Sequence, residues 1–280
     1  MTTLLKVTIG LDLGDRMSDY AVLNAGGEVV TRGRVPTDQA GLTAWLGSLP
    51  PAVVVLEVGT HSPWVSRLVE ALGHTALVAN ARKVKAVTAA TRKSDRVDAE
   101  MLARLGRADP QLLAPITHRG VEAQVDLAQV RARDALVRAR TLLINHVRGA
   151  LKSLGYRAPA GITSHTFAVK VASQMPAALQ SALTGVVTVI GELTQQIRNS
   201  DRALEARAQS RYPETAKLRQ VTGVGVLTAL SFVLTVEDPA RFATSRSVGA
   251  YFGLVPRRHQ SGRRDPQLRI TKTGDRMVRR

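Results

Sequence analysis

Four acidic residues in the first part of the chain have the types and spacing of a divalent-cation site: Asp12, Glu57, Asp95 and Asp98. Asp12 and Glu57 each follow an apolar run, whereas Asp95 and Asp98 are three residues apart and share a face on a helix. Gathered carboxylates repel one another, and Mg²⁺, which prefers hard oxygen ligands, removes that conflict. Two such ions stabilise the attacking and leaving oxygens of a phosphoryl displacement. The set therefore indicates cleavage or transfer of a phosphodiester strand.

Each acid also has a structural interpretation. Glu57 follows the apolar run VVVL, where a carboxylate without a partner is costly, so it points most strongly to a site. Asp12 could be a turn residue, and Asp95 could be a first-turn residue favoured by the helix dipole. Asp98 could form an ion pair with Arg92 or Lys93. We interpret Asp15 as a turn residue only.

The segments that would position these acids alternate between strand and helix patterns. A buried strand is predicted over 4–11, followed by a hairpin around Gly26-Gly27. The later segments are a helix over 38–47, a strand over 52–58, a helix over 61–73, a strand over 75–80 and a helix beginning at Ser94 as N-cap. The predicted order is three strands followed by helix, strand, helix, strand and helix. This is the order of the α/β RNase H-like fold, which is the core of RuvC-like nucleases and of actin-like ATPases.

Two long amphipathic helices follow, over about 119–155 and 176–210. The apolar stripe of the first is Val121, Val125, Leu136, Leu143, Val147 and Leu151. The helices could pack within one chain or form a dimerising coiled coil. Next, residues 218–234 resemble a helix-hairpin-helix unit, whose turn amides could face a phosphate or simply join two helices. We expect an RuvC-like domain over 1–115, a helical arm over 116–211 and a mainly α C-terminal domain over 212–280.

The charge of the chain favours a nucleic-acid partner. Its 280 residues include 39 Lys and Arg against 22 Asp and Glu, a net charge of +17. Residues 241–280 alone hold 11 basic and 2 acidic side chains, a net +9. The absence of cysteine excludes disulfides and thiolate metal sites. We find no signal peptide and no apolar run long enough for a membrane span, and we expect a cytoplasmic, nucleoid-associated protein with no membrane partner.

Four segments of the chain stand out: GLDLG (10–14), VVLEVGTHSPW (54–64), NARKVKAVTAATRKSDRVDAEMLARL (80–105) and GLVPRRHQSGRRDPQLRITKTGDRMVRR (253–280). Together they resemble the IS110 group of DEDD transposases, which are RNA-guided serine recombinases. The resemblance covers most of the chain, and the combination of KSDRVDAEMLA with GLVP and ITKTGDR is specific.

The resemblance implies a role for each candidate residue. The four acids would be the metal-binding catalytic tetrad, and Ser261 would be the nucleophile, as the serine in the loop after GLVPR. The family often has paired serines and paired glycines in that loop, whereas this chain has one of each. Without the resemblance, Ser261 could merely contact phosphate, with His259 and arginines nearby. The expected nucleic-acid contacts are Lys83, Lys85, Arg92, Lys93, Arg257, Arg258, Arg263, Arg264, Lys272 and Arg276.

The resemblance also implies a mechanism and partners. Ser261 would form a covalent phosphoserine link with DNA, and Mg²⁺ at the tetrad would assist at the same phosphate from the same or another protomer. A structured guide (bridge) RNA would pair with donor and target DNA, and the protein would work as a dimer or tetramer. Relatives usually continue with a further helical segment after the motif that ends here at Arg280.

Three other classes compete with this interpretation. A RuvC-like endonuclease acting on Holliday junctions or other DNA structures would use the acidic tetrad alone and would not need Ser261. An actin-like ATPase needs a second phosphate loop and an adenosine-binding glycine stretch, and the sequence has neither. A nucleic-acid-binding protein without enzymatic activity leaves Glu57 at the end of an apolar strand unexplained.

Overall fold

The computed structural model describes residues 7–80, 95–262 and 264–279, and in the helix that begins at Asp95 it describes side chains from Val97 onward. The chain divides into two compact units, Met1–His118 and Arg119–Arg280. The first unit is an α/β domain and the second is mainly helical. The division into three domains expected from the sequence stays a prediction.

Among the described residues of the first unit, five strands form one mixed sheet in the order β3-β2-β1-β4-β5. Their bounds are β1 Thr8–Asp12, β2 Met17–Leu23, β3 Val29–Pro36, β4 Val53–Glu57 and β5 Thr75–Ala79. β1 pairs antiparallel with β2 and parallel with β4, and β2 and β3 form the predicted hairpin. Because β1 and β4 run in the same direction, the acids that end them meet at one edge of the sheet.

Helices cover both faces of this sheet. The helices are α1 Gln39–Gly47, α2 Ser62–Ala71 and α3 Asp95–Ala108, followed by a 3₁₀ turn at Pro110–Leu113. Side chains of α1 and α2 pack with Ile9, Leu11 and Leu56 on one face, whereas Leu102 of α3 packs with Val55 on the other. Covering on both faces explains why the central strands are almost wholly apolar rather than alternating. The described elements follow the order predicted from the sequence.

Glycine allows α3 to lie directly on β1. A Cβ built on Gly10 would overlap the backbone carbonyl of Ala99 and approach the backbone nitrogen of Ala103. At the other end of α3, Arg107 donates a hydrogen bond to the carbonyl of Ala25 in the β2–β3 turn, beside the start of β1. The helix therefore runs opposite to β1, and its first turn lies toward the strand ends that carry the acids.

The second unit is built on two long helices that pack on each other within the chain. Its helices are α4 Val121–Ser153, α5 Phe167–Ala172, α6 Ala177–Arg211, α7 Thr215–Leu218, α8 Val226–Val236 and α9 Ser245–Tyr251. One core joins Ile144 and Val147 of α4 to α5 and α6, and another joins Leu127 of α4 to α6 and α8. The coiled-coil alternative is not needed to bury these faces.

The predicted stripe of α4 is wrong in its first part. Val121 and Val125 are exposed, and Leu127 and Val130 are buried instead. The first turns of α4 rotate a different face inward because they pack on α8 as well as α6. Periodicity alone could not separate the two faces, since both carry apolar residues at helical spacing.

Among the described helices, α6 is long and apolar enough to span a membrane by length and composition. The expectation that no segment is long and apolar enough for a membrane span is therefore corrected for α6. Its apolar stripe, including Leu183, Val187 and Ile190, is buried against α4 and α5. The same helix therefore packs its apolar stripe inside the second unit.

A buried ion-pair network joins the start of α4 to the end of α6. Asp126 has a fully buried carboxylate that is paired with Arg207 and, at 3.1 Å, with Arg211. It also accepts a 2.6 Å hydrogen bond from the hydroxyl of Tyr212. Burial, and then the hydrogen bond to Asp126, raise the pKa of Tyr212 to about 12. The network fixes the pairing of the two long helices at this end.

The C-terminal motif closes on itself through its backbone. Gly253 and Gly274 have φ values of +69° and +77°, and a Cβ on either would overlap backbone atoms of the other segment. Arg279 donates hydrogen bonds to the carbonyls of Phe252 at 3.0 Å and Gly274 at 2.9 Å, and also to that of Thr273. GLVP and ITKTGDR are therefore two halves of one packed structure.

Candidate active site

Asp12 and Glu57 lie at neighbouring positions on the sheet edge. The β1–β4 register pairs Leu11 with Leu56, so the next residues, Asp12 and Glu57, stand side by side on strands about 4.8 Å apart. Two residues after Gly10 and Val55, they lie on the face covered by α3. Both line one cavity of about 420 Å³ at the strand ends. The structure thus brings together two of the four predicted acids.

The acids of α3 lie toward the same edge. Asp98 is half-buried and immediately precedes Ala99, whose carbonyl lies against Gly10. Asp98 is not among the residues lining the cavity. Asp95 is the first residue of α3, and its side chain lies outside the description, as does Ser94. Over the described ranges, no group of three or more His, Asp or Glu is close enough to hold a metal ion, so convergence of the full tetrad stays a prediction.

Two further ionisable residues line the cavity, and the sequence analysis assigned neither to the site. Asp15 follows the end of β1, and His61 precedes α2. The Nε2 of His61 is 3.8 Å from Oδ1 of Asp15, and its Nδ1 accepts a 3.1 Å hydrogen bond from the indole of Trp64. Neutral His61 therefore carries its proton on Nε2. The sequence signal that could have pointed to His61 is its spacing of three residues from Trp64 at the start of a predicted helix, which places the two side chains side by side.

A third acid stands in the same row of the sheet. Asp19 of β2 lies directly opposite Asp12 in the antiparallel register. It is buried, and one oxygen accepts a 3.0 Å hydrogen bond from Arg34 of β3. The ion pair offsets the charge of Asp19 beside the site. Sequence reasoning had no signal for it, because Asp19 lies inside a strand of the predicted hairpin.

Ser261 lies in a tight exposed turn. Its backbone exchanges two 3.0 Å hydrogen bonds with Arg264, and Gly262 between them has a φ of +56°. The stem of the turn continues through an antiparallel bridge between Pro256 and Ile270. The single glycine of this loop therefore occupies the position where the turn needs a left-handed residue.

The arginines around this turn are exposed. Arg258 pairs with Asp265 at 3.1 Å and also contacts Gln260. Other predicted nucleic-acid contacts that face solvent are Arg257, Arg264, Lys272 and Arg276. The remaining predicted contacts, Lys83, Lys85, Arg92, Lys93 and Arg263, lie outside the described residues.

Comparison with known protein families and curated proteins identifies relatives over nearly the whole chain. The IS110 DEDD family, described as "Transposase", matches residues 9–155, just over half of the chain. The "Transposase IS116/IS110/IS902 family" matches residues 215–280.

Individual relatives extend this match. The transposase for insertion sequence element IS1328 of Yersinia enterocolitica is 29% identical over 97% of this chain and 80% of its own length. The transposase for insertion sequence element IS1111A of Coxiella burnetii is 30% identical over 97% of this chain and 74% of its own length. A probable family 20 transposase of Pseudomonas aeruginosa is 29% identical over 97% of this chain and 80% of its own length.

These matches define the class of protein as a transposase, an enzyme that processes DNA. The chain belongs to the IS110 family of insertion-sequence transposases.

Proposed function

We propose that this transposase cuts and rejoins DNA through a phosphoserine intermediate at Ser261, assisted by Mg²⁺ at an RNase H-like (RuvC-like) acidic site. The observation that carries the proposal is the cavity shared by Asp12 and Glu57. Along the chain, two other strands and one helix separate β1 from β4, yet the acids that end these strands lie at one edge of the sheet. The order and direction of the described strands support the RuvC-like assignment.

The residues present fit a magnesium ion. Mg²⁺ is commonly held by one or two protein carboxylates together with substrate phosphates. Asp12 and Glu57 supply two oxygen donors beside a polar cavity, and Asp98 and Asp95 lie on the helix that covers the same face. When bound there, the ion would neutralise charge that builds on the scissile phosphate. The acids themselves would fix its position at the strand ends.

The covalent step is assigned to Ser261. Its Oγ attacks the phosphorus and loses its proton, a new O–P bond forms, and the bond from phosphorus to one deoxyribose oxygen breaks. The departing oxygen takes up a proton. The exposed arginines Arg258 and Arg264 lie beside and in this turn, and their guanidinium groups would stabilise the extra negative charge of the transition state.

Rejoining reverses this step with a new partner strand. A free deoxyribose hydroxyl attacks the phosphoserine, and the serine oxygen leaves and regains a proton. The number of phosphodiester bonds is unchanged, so strand exchange needs no external energy source. We propose that a structured guide RNA selects the donor and target DNA and that a dimer or tetramer carries out the exchange, in keeping with a net charge of +17 on the chain.

The test is a covalent-adduct assay. Full-length protein with its co-purifying RNA is incubated with candidate DNA and Mg²⁺, and the protein–DNA adduct is resolved under denaturing conditions. We expect an adduct with wild type and with the exposed-serine control Ser210→Ala, and none with Ser261→Ala. Continued cleavage by Ser261→Ala without an adduct would contradict the proposal and favour an endonuclease that uses the acids alone.

A further inference from the structure

A second cavity lies within the unit Arg119–Arg280, between α4 and the last sequence motif. Its volume is about 530 Å³. Six of its nine lining residues are charged, and Tyr251 and Met277 contribute large side chains with apolar surface. The charged lining residues are Arg119, Arg131, Asp134, Arg138, Asp275 and Arg276. Four arginines against two aspartates give the lining an excess of two positive charges.

The two aspartates hold two of these arginines in place through ion pairs. Arg131 pairs with Asp275 at 3.2 Å, and Arg138 pairs with Asp134 at 3.1 Å. The arginine side chains are 58% and 64% exposed, whereas their partners are only 11% and 13% exposed. Each carboxylate is thus largely buried and each guanidinium is presented to solvent. An anion entering the cavity would meet the cations and not the acids.

The other walls are also ordered by the protein. Arg119 donates from Nε to the carbonyl of Leu234 at 3.0 Å, and its Nη2 approaches the hydroxyl of Tyr251 at 3.4 Å. Arg276, which directly follows Asp275, also lines the cavity and faces solvent. Among the described side chains, Arg276 has no ion-pair partner. The cavity therefore combines anchored guanidinium groups with one that is able to reach a ligand.

We propose that this cavity binds the phosphodiester backbone of DNA. The planar guanidinium fork pairs with phosphate oxygens through two hydrogen bonds, which suits arginine better than lysine for this task. Arg131 and Arg138 are seven residues apart on α4, which is about 10 Å along the helix axis. This separation is larger than one phosphate group, so the two arginines leave room for a phosphate and the sugars attached to it. Apart from Arg276, none of these residues was predicted from the sequence as a nucleic-acid contact.

The site is distinct from the turn that carries Ser261. None of the residues of that turn lines the cavity. The inference rests on the proposed function only in its choice of DNA as the polyanion. The contrasting interpretation is that the two ion pairs merely fasten the C-terminal motif to α4. In that case removing Arg276, which takes part in neither pair, would leave DNA binding unchanged.

The test measures DNA affinity as a function of salt. Full-length wild type, Arg138→Gln, Arg276→Gln and the double variant are titrated against a fluorescent DNA duplex at a series of NaCl concentrations. The matched control is Arg202→Gln, an exposed arginine of α6 outside the cavity. Thermal unfolding of each variant confirms that it is folded.

We expect each cavity substitution to reduce the slope of log affinity against log salt by about 0.9, and to weaken binding about eightfold at 0.1 M salt. The control should keep the wild-type slope. Wild-type slopes in Arg276→Gln and in the double variant would overturn the inference while leaving the proposed function intact. A reduced slope with an RNA hairpin but not with the duplex would overturn the assignment to DNA. Failure of wild type to bind any duplex would instead count against the proposed DNA chemistry.

Discussion

Replacing Gly10 with alanine tests how the sheet and α3 position the acidic site. The added Cβ would overlap the backbone carbonyl of Ala99. Backbone atoms cannot turn aside as a flexible side chain can, so α3 must move away from β1 as a body. Because unbonded carbon and oxygen atoms settle near 3.5 Å, the displacement is about 1–2 Å.

The expected cost lies at the upper end of the range for overpacking, about 3 kcal/mol. For a unit of this size, such a cost lowers Tm by about 10 °C. The displacement also moves Asp98 away from Asp12. This movement is larger than the variation of about 0.2 Å that metal–ligand distances tolerate. A misplacement of about 1 Å reduces activity roughly a hundredfold, so the proposed Mg²⁺-dependent cleavage should fall further than the loss of folded protein explains.

The assay pairs thermal unfolding with cleavage at a temperature where all variants are folded. Gly47→Ala is the matched control, because a Cβ at that exposed position of α1 meets no atom within 4 Å. It should retain wild-type Tm and activity. If Gly10→Ala also retained both, the close contact between α3 and β1 would be refuted.

Three further predictions concern the second unit. Asp126→Asn breaks a buried ion-pair network and should cost about 3–5 kcal/mol in urea unfolding, whereas Glu122→Gln, which removes an 83% exposed carboxylate, should change stability little. Because the pKa of Tyr212 is raised to about 12, folded protein keeps a proton that the unfolded chain loses near pH 10. The stabilisation that this proton provides is complete below pH 10 and is lost as the pH rises to about 12. Between these pH values the free energy of unfolding should therefore fall less steeply in Tyr212→Phe than in wild type, and equal slopes would contradict this. Arg279→Lys loses a guanidinium bound to three carbonyls and should lower stability by about 1.5–3 kcal/mol, while Arg269→Lys, at an exposed position, should not; equal unfolding midpoints would count against the backbone clamp.

The sequence predicted the strand ends well because two physical signals coincide there. An apolar run that stops at a carboxylate marks a buried strand reaching the sheet edge, and both β1 and β4 show it. The order of the segments then predicted that these strands are neighbours. The proximity of Asp12 and Glu57 was therefore predictable from the sequence alone.

Other features depend on contacts that no local pattern reveals. Asp275 meets Arg131 from a position 144 residues away in the chain, so the basic cavity has no signature in either segment alone. Asp15 resembled an ordinary turn residue until the cavity placed it beside His61. The fit of Gly10 against Ala99 is a backbone contact, which side-chain periodicity does not report.

The most direct test of the acidic site is Mn²⁺ binding to the full chain, followed by electron paramagnetic resonance, with Mn²⁺ standing in for Mg²⁺. Wild type and Glu70→Gln, which alters an exposed acid on α2, should bind the ion alike. Asp12→Asn, Glu57→Gln and Asp98→Asn should each weaken binding by a factor of about ten or more. Wild-type affinity in all three variants would show that these acids do not form a metal site, and the proposed mechanism would fail with it.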